Sequence, residues 1–152
     1  MELRTYRPGI VAVFRNKNGQ ILLCKRSGLD SWQFPPGGID PGEKPEEALY
    51  REALEEIGCK DFTVIRSCDR LIRYDFPEDM RAPIAKKYRG QEQYWFLCAF
   101  QDGAKPDLSM ATDQEFDDLK WVPVSESLST IVPWKRQAYE EGMKELGLGD
   151  FT

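Results

Sequence analysis

The chain has 152 residues, 26 acidic against 21 basic side chains, a formal charge of −5, no histidine and four cysteines. That length predicts a single domain spanning 1–152 with a core of its own. The missing histidine excludes a Ser-His-Asp triad, a Cys-His dyad and histidine-ligated zinc, and points to a carboxylate as any general base.

Residues 10–15 and 21–25 are strand-like runs joined by NKNGQ, where Asn18-Gly19 is a hairpin signal. A glycine-rich turn, PPGGIDPGE, then runs into a helix predicted over 44–58. Pro45 suits its first position, Glu46 and Glu47 complement the positive end of its dipole, and Gly58 is a natural stop. Leu49, Ala53, Leu54 and Ile57 form its apolar stripe. Residues 62–67 alternate as a strand. The unbroken apolar run YWFLCAF at 94–100 reads as a strand covered on both faces. Another strand is expected over 119–124, ended by Pro123 and Ser125. A C-terminal helix over 133–146 carries Trp134, Ala138, Tyr139 and Met143 at core-like spacing and stops at Gly147.

Cys24, Cys59, Cys68 and Cys98 have no CxxC spacing, which argues against a zinc ribbon or redox pair. Cys24, Cys59 and Cys98 read as buried thiols, and this usage suits a reducing cytosol. There is no signal-like N-terminus and no run near the ~18 apolar residues that span a bilayer. The expected location is therefore cytoplasmic, without a membrane. Monomer and homodimer both remain open.

Within the helix at 44–58, Glu52, Glu55 and Glu56 share a face, inside an arc of about 100°. Three carboxylates so close repel unless something positive lies among them. The bland alternative is a solvated face, the usual fate of glutamates. Against it, only Lys44 and Arg51 could offset the cluster locally, and the adjoining turn carries Gly37, Gly38 and Gly42. Acids beside a glycine-rich turn point to a divalent metal facing a phosphate.

Gly37, five residues, Glu43, seven residues, then Arg51-Glu52-Ala53-Leu54-Glu55-Glu56-Ile57-Gly58-Cys59 resembles a complete Nudix box. That family hydrolyses nucleoside diphosphates linked to another moiety. Ala53 and Cys59 stand where bulkier aliphatics are usual. The resemblance implies an α/β fold, a Nudix-type α/β/α sandwich with a mixed β-sheet between the box helix and the C-terminal helix. It also implies that Gly37, through its carbonyl, with Glu52, Glu55 and Glu56, binds Mg2+, with Mn2+ as the alternative ion. Such an ion wants hard oxygen ligands. Arg51 would orient Glu43. One of the box glutamates, or Glu115, would activate the attacking water.

Outside the box, the chain resembles bacterial RNA pyrophosphohydrolases and the related diadenosine polyphosphate hydrolases along nearly its whole length. The matching pieces include Tyr6-Arg7-Pro8, Arg26, Ser31-Trp32-Gln33-Phe34-Pro35, Arg73-Tyr74-Asp75, Gly90-Gln91, Glu115-Phe116-Asp117 and Trp134-Lys135-Arg136. This implies that Arg7 and Arg26 contact 5′ phosphates, that Trp134 stacks on a nucleobase with Lys135 beside it, and that Glu115 is a further metal or base carboxylate. Arginine's planar fork suits phosphate, and stacking suits an unpaired base. Each residue has a plainer alternative: solvated arginines, a core tryptophan, a loop glutamate. The family usually has Pro-Gln-Gly-Gly before the box, whereas this chain has Pro35-Pro36-Gly37-Gly38. If that glutamine helps hold substrate, specificity shifts.

The expected function is a Mg2+-dependent pyrophosphohydrolase that converts 5′-triphosphate RNA ends to monophosphates, initiating mRNA decay. The alternatives are a dinucleoside polyphosphate or nucleoside triphosphate hydrolase and, outside enzymes, a nucleotide-sensing module. An acidic chain argues against an extended nucleic-acid track. A local basic rim from Arg66, Arg70, Arg73, Arg81, Lys86, Lys87 and Arg89 would serve a 5′ end, with RAPIAKKYR as an RNA-facing loop.

Overall fold

A computed structural model describes residues 4–149. A five-stranded mixed sheet contains β1 (Thr5–Phe14), β4 (Pro36–Gly38), β5 (Phe62–Ser67), β6 (Ile72–Asp75) and β7 (Tyr88–Phe100). Its order is β4-β1-β7-β5, and β6 also pairs with β7. β1 and β7 run parallel through the centre, and the other pairs are antiparallel. A second, antiparallel sheet orders β3 (Trp32–Gln33), β2 (Ile21–Arg26) and β8 (Phe116–Val122). The helices are α1 (Pro45–Ile57), α2 (Pro83–Lys87) and α3 (Pro133–Glu145).

Two apolar clusters explain the layers. Successive strand residues point to opposite faces. Val11, Val13, Trp95 and Leu97 therefore pack with Ala138, Tyr139 and Met143 of α3. Ile10, Ala12, Phe14, Phe96 and Cys98 pack with Ala48, Leu49, Ala53 and Ile57 of α1. Residues 10–14 of β1 and 94–100 of β7 are apolar at every position because both faces of the sheet are covered there, as the run at 94–100 predicted.

Several local expectations need correction. The chain does reverse at Asn16–Gln20: Asn16 Oδ1 accepts from the backbone N–H of Asn18 and Gln20, and Gly19 has φ +78°. Yet β1 and β2 do not form a continuing hairpin. They share one isolated bridge, Arg15 to Ile21, and enter different sheets, because β4 and β7 occupy the two edges of β1. Leu54 is 40% exposed and lies outside the stripe of α1. It stands ~100° round the helix from Ala53, and the inward side there belongs to Leu49, Ala53, Glu56 and Ile57. The segment 81–89 is not a loop but α2 followed by the start of β7.

Gly142 shows how closely α3 approaches the sheet. A Cβ there would stand 2.3 Å from a ring atom of Trp95, which is fully buried. Relaxed carbon contacts are about 3.5–4.0 Å. Alanine would gain about 1 kcal/mol of helix propensity, but overpacking a core costs about 1–3 kcal/mol. Gly142→Ala is expected to lower stability by up to about 2 kcal/mol in a denaturant titration, the overpacking cost less the propensity gain.

Candidate active site

The segment entering α1 is built on close backbone approaches. Gly37 lies against Glu52, whose Cγ is 2.1 Å from where a Cβ would be. Gly38 is filled in the same way by the guanidinium of Arg7, with Nη2 at 2.3 Å from the Cβ position. Any side chain at 37 or 38 would displace a charged group. The carbonyl oxygen of Gly37 faces Gly9 of β1. At the neighbouring Val11–Pro36 pair, the ladder bond runs from Ala12 N–H to the Pro35 carbonyl. The nitrogen of Pro36 therefore faces away from β1 on an edge strand, where proline removes no ladder bond.

Arg51 ties the acids to this turn. Its Nε and Nη2 donate to the two carboxylate oxygens of Glu43, each at 2.8 Å. Nη1 donates to Glu52 at 2.9 Å and to Glu55 at 3.3 Å, and Nη2 also reaches the Gly38 carbonyl at 2.9 Å. Hydrogen bonding from Arg51, then from the backbone N–H of Asp40, holds the Glu43 carboxyl down at about 2. The expected orientation of Glu43 by Arg51 is what the geometry contains, extended to two acids of the helix.

Glu56 is the outlier of the set. It is 4% exposed, and its Oε2 has no hydrogen-bond partner. Burial, then the carboxylates of Glu115 and Glu52 beside it, push its carboxyl far above the ordinary range. Burial raises Glu52 as well, with Arg51 opposing. An orphaned buried oxygen among carboxylates is the environment a cation would relieve. As they stand, with Glu52 and Glu55 drawn toward Arg51, no three acidic or thiol side chains among the described residues are spaced to hold a metal ion. The donor chemistry nonetheless fits a hard divalent ion, since every candidate atom is an oxygen.

A cavity of about 820 Å3 opens over these acids. Arg7, Arg26, Gly37, Glu52, Glu55, Glu56, Glu115, Trp134 and Lys135 all line it, although they come from β1, β2, β4, α1, α3 and the segment before β8. Arg26 Nη2 lies 3.9 Å from Glu115 Oε1. Lys135 Nζ sits over the rings of Trp134 at 5.2 Å and Tyr74 at 5.8 Å. Burial, then repulsion by Arg26, lowers its ammonium to about 8, with Glu115 opposing. Trp134 is half-buried, packed on Tyr74 and Phe76 at ring distances of 5.6 and 6.2 Å, while also lining the cavity. It is both core edge and cavity wall, so neither sequence alternative excludes the other.

The broad basic rim does not form as expected. Arg70 pairs with Glu141 and Glu145, Arg73 with Glu92, and Arg89 with Asp75. Conversely, Gln33, Tyr74 and Gln91 line the cavity without a role having been read from the sequence. Gln91 hydrogen-bonds the phenol of Tyr74, and the amide Nε2 of Gln33 is buried without a partner. The available signal for Gln33 was an amide between the apolar Trp32 and Phe34. Tyr74 and Gln91 become neighbours only when β6 pairs with β7.

Residues 5–142 match the family described as NUDIX domain. The RNA pyrophosphohydrolase of Aeromonas hydrophila subsp. hydrophila is 39% identical over 145 residues, covering 92% of this chain and 83% of that protein. That of Proteus mirabilis is 39% identical over 144 residues, with 92% and 82% covered. Among solved structures, the E. coli dihydroneopterin triphosphate pyrophosphohydrolase superposes with a TM-score of 0.68 at 21% identity, covering 91% of this chain and 97% of that one. A C. elegans Ap4A hydrolase binary complex gives 0.68 at 17% identity, with 93% and 95% covered. At such identities these structures speak for the fold alone. Among the described residues no helix is long and apolar enough to cross a membrane.

Proposed function

The chain belongs to the Nudix hydrolase family, and we propose that within it this enzyme is a divalent-metal-dependent pyrophosphohydrolase of 5′-triphosphate RNA ends. The observation that carries this reading is one cavity that joins a buried acid cluster to three cations and a set of aromatic rings. Acids alone would fit any phosphoanhydride. The cations Arg7, Arg26 and Lys135 fit several phosphates in a row, and Trp134 beside Tyr74 and Phe76 fits an unpaired base. The names of the two relatives at 39% identity agree with this substrate.

Glu52, Glu55, Glu56 and Glu115, with the Gly37 carbonyl, would hold the ion, Mg2+ or in its place Mn2+. When bound, such an ion neutralises phosphate charge and acidifies a coordinated water. The chain's own residues do the rest. Arg51 keeps Glu52 and Glu55 turned toward the Gly37 turn. Arg7, packed into the space beside Gly38, presents its fork to the phosphates. A carboxylate of this set accepts the proton of the attacking water, since the chain offers no histidine. The products are a 5′-monophosphate RNA and pyrophosphate or orthophosphate, and the cellular role is the start of mRNA decay in the cytoplasm.

The test is a side-by-side assay with Mg2+ of 5′-triphosphate RNA, diadenosine tetraphosphate and nucleoside triphosphates, scored as kcat/KM. Preference for the RNA end supports the proposal. Preference for the small nucleotides overturns it and makes Pro36 the first residue to revert to glutamine. Binding without turnover of any of them would make the protein a sensor.

Trp134→Ala should separate the two duties of that ring. Loss of a base stack costs about 1–3 kcal/mol, roughly a five- to 150-fold rise in KM with little change in kcat. A stability loss without a KM effect in the folded variant would leave Trp134 with a packing role alone.

A further inference from the structure

Met80, Ala82 and Ile84, on α2 and the segment that leads into it, line the same cavity as the acids Glu52, Glu55, Glu56 and Glu115 and the packed rings of Tyr74, Phe76 and Trp134. Its volume, about 820 Å3, lies within the roughly 300–1,000 Å3 of small-molecule sites, so most of a longer RNA would lie outside it. An RNA chain held there by its 5′ end has to leave the cavity, and one route out passes the lining residues Ala82 and Ile84 and so α2.

The segment bordering the cavity carries a group of cations. Several other basic side chains, Lys17, Lys25, Arg70, Arg73, Arg89 and Arg136, each have a carboxylate within salt-bridge distance. Arg81, Lys86 and Lys87 are exposed and, among the described residues, have no carboxylate partner; Lys87 lies over the ring of Tyr88 at 5.6 Å. Arg4 adds a fourth cation by donating to the Ala85 carbonyl in α2. Glu78 and Asp79 lie on the turn before α2, so the positive surface begins at Arg81. In a chain of net charge −5, grouped cations without partners on the outlet of a phosphate site call for an external anion.

We infer that Arg81, Lys86 and Lys87 form a track for the backbone phosphates of the RNA downstream of its 5′ end. The inference rests on the RNA reading of the cavity and adds to it a preference for length. The contacts are to phosphates, so they carry affinity without sequence.

The experiment compares kcat/KM for a 5′-triphosphate dinucleotide and for longer single-stranded 5′-triphosphate RNA, at several salt concentrations, in the wild type and in R81A/K86A/K87A. The wild type is expected to favour the longer RNA, and the triple variant to bring the ratio close to unity. Three phosphate contacts at a slope of roughly 0.7 each predict a salt slope shallower by about 2, or roughly a 20-fold smaller loss between about 50 and about 200 mM salt. Lys105→Ala, near the opposite end of β7, should keep the wild-type ratio. The ratio is read within one protein, so a partly unfolded sample does not distort it. Equal rates on both substrates in the wild type, or an unchanged ratio in the triple variant, overturn the track and leave the 5′-end activity standing. Absence of turnover on RNA of either length overturns both.

Discussion

Glu56→Gln is expected to remove nearly all metal-dependent turnover while making the metal-free protein more stable at neutral pH. The two effects have one cause. Glu56 is buried with an unpartnered oxygen and sits against Glu115 and Glu52, so its charged form is strongly disfavoured. A carboxyl whose folded pKa lies above its unfolded value, here 4.5, favours folding fully below that value. The contribution is lost as pH rises toward the folded pKa. Metal-free wild type should therefore lose melting temperature as pH climbs from about 4.5 through 8. The glutamine variant, neutral throughout, should lack that slope.

A divalent ion reverses the wild-type trend, because a ligand that binds only the folded state adds about 2.7 kcal/mol at a concentration of 100 times its Kd. The variant should show little of this gain. Its kcat should fall by roughly 10²–10⁴, the range seen when a carboxylate essential to proton transfer or ion binding is neutralised. Melting curves with and without Mg2+ across pH, beside turnover, check all three points. Near-normal turnover in folded Glu56→Gln would remove Glu56 from the metal site.

Arg51→Met should damage stability and activity together. The guanidinium makes five hydrogen bonds, to Glu43 twice, Glu52, Glu55 and the Gly38 carbonyl. Without it three carboxylates face one another. Breaking a buried ion pair costs about 3–5 kcal/mol. Arg51 keeps 29% of its side chain exposed, so solvent screening reduces the expectation to about 2–3 kcal/mol. The acid limb should change as well. Glu43, held down at about 2, favours folding above its unfolded value of 4.5, and this is lost as pH falls toward 2. Removing Arg51 should flatten that limb. Loss of a group that orients ligands typically weakens metal binding about ten- to 100-fold, which a Mn2+ titration would read. Arg51→Lys cannot reproduce the fork to Glu43 and should fall between the two. A variant with wild-type stability and Mn2+ affinity would reduce the network to surface pairing.

The acid cluster was legible because its parts are local. Gly37, Glu43, Arg51, Glu52, Glu55 and Glu56 lie within one turn and one helix, where spacing in the chain is spacing in space. The helix itself announced its ends through Pro45 and Gly58, and Gly58 does take the left-handed conformation, at φ +68°. The strand at 94–100 was legible for a different reason: a run apolar at every position needs cover on both faces. Leu54 was misread because a stripe drawn by residue type ignores which neighbour competes for the inward position, and Glu56 occupies it.

Local pattern by itself determined the helix over the box and the central strand, since each rests on contacts a few residues apart, whereas the α/β sandwich followed from the resemblance to the family. Only the tertiary structure decided that β1 and β2 part into two sheets, that Gln33, Tyr74 and Gln91 join the cavity, and that Arg70, Arg73 and Arg89 are neutralised while Arg81, Lys86 and Lys87 are not. Those outcomes depend on which strands compete for the edges of β1 and β7 and which charges meet after pairing. Such partners lie tens of residues apart, and no local pattern encodes their distance.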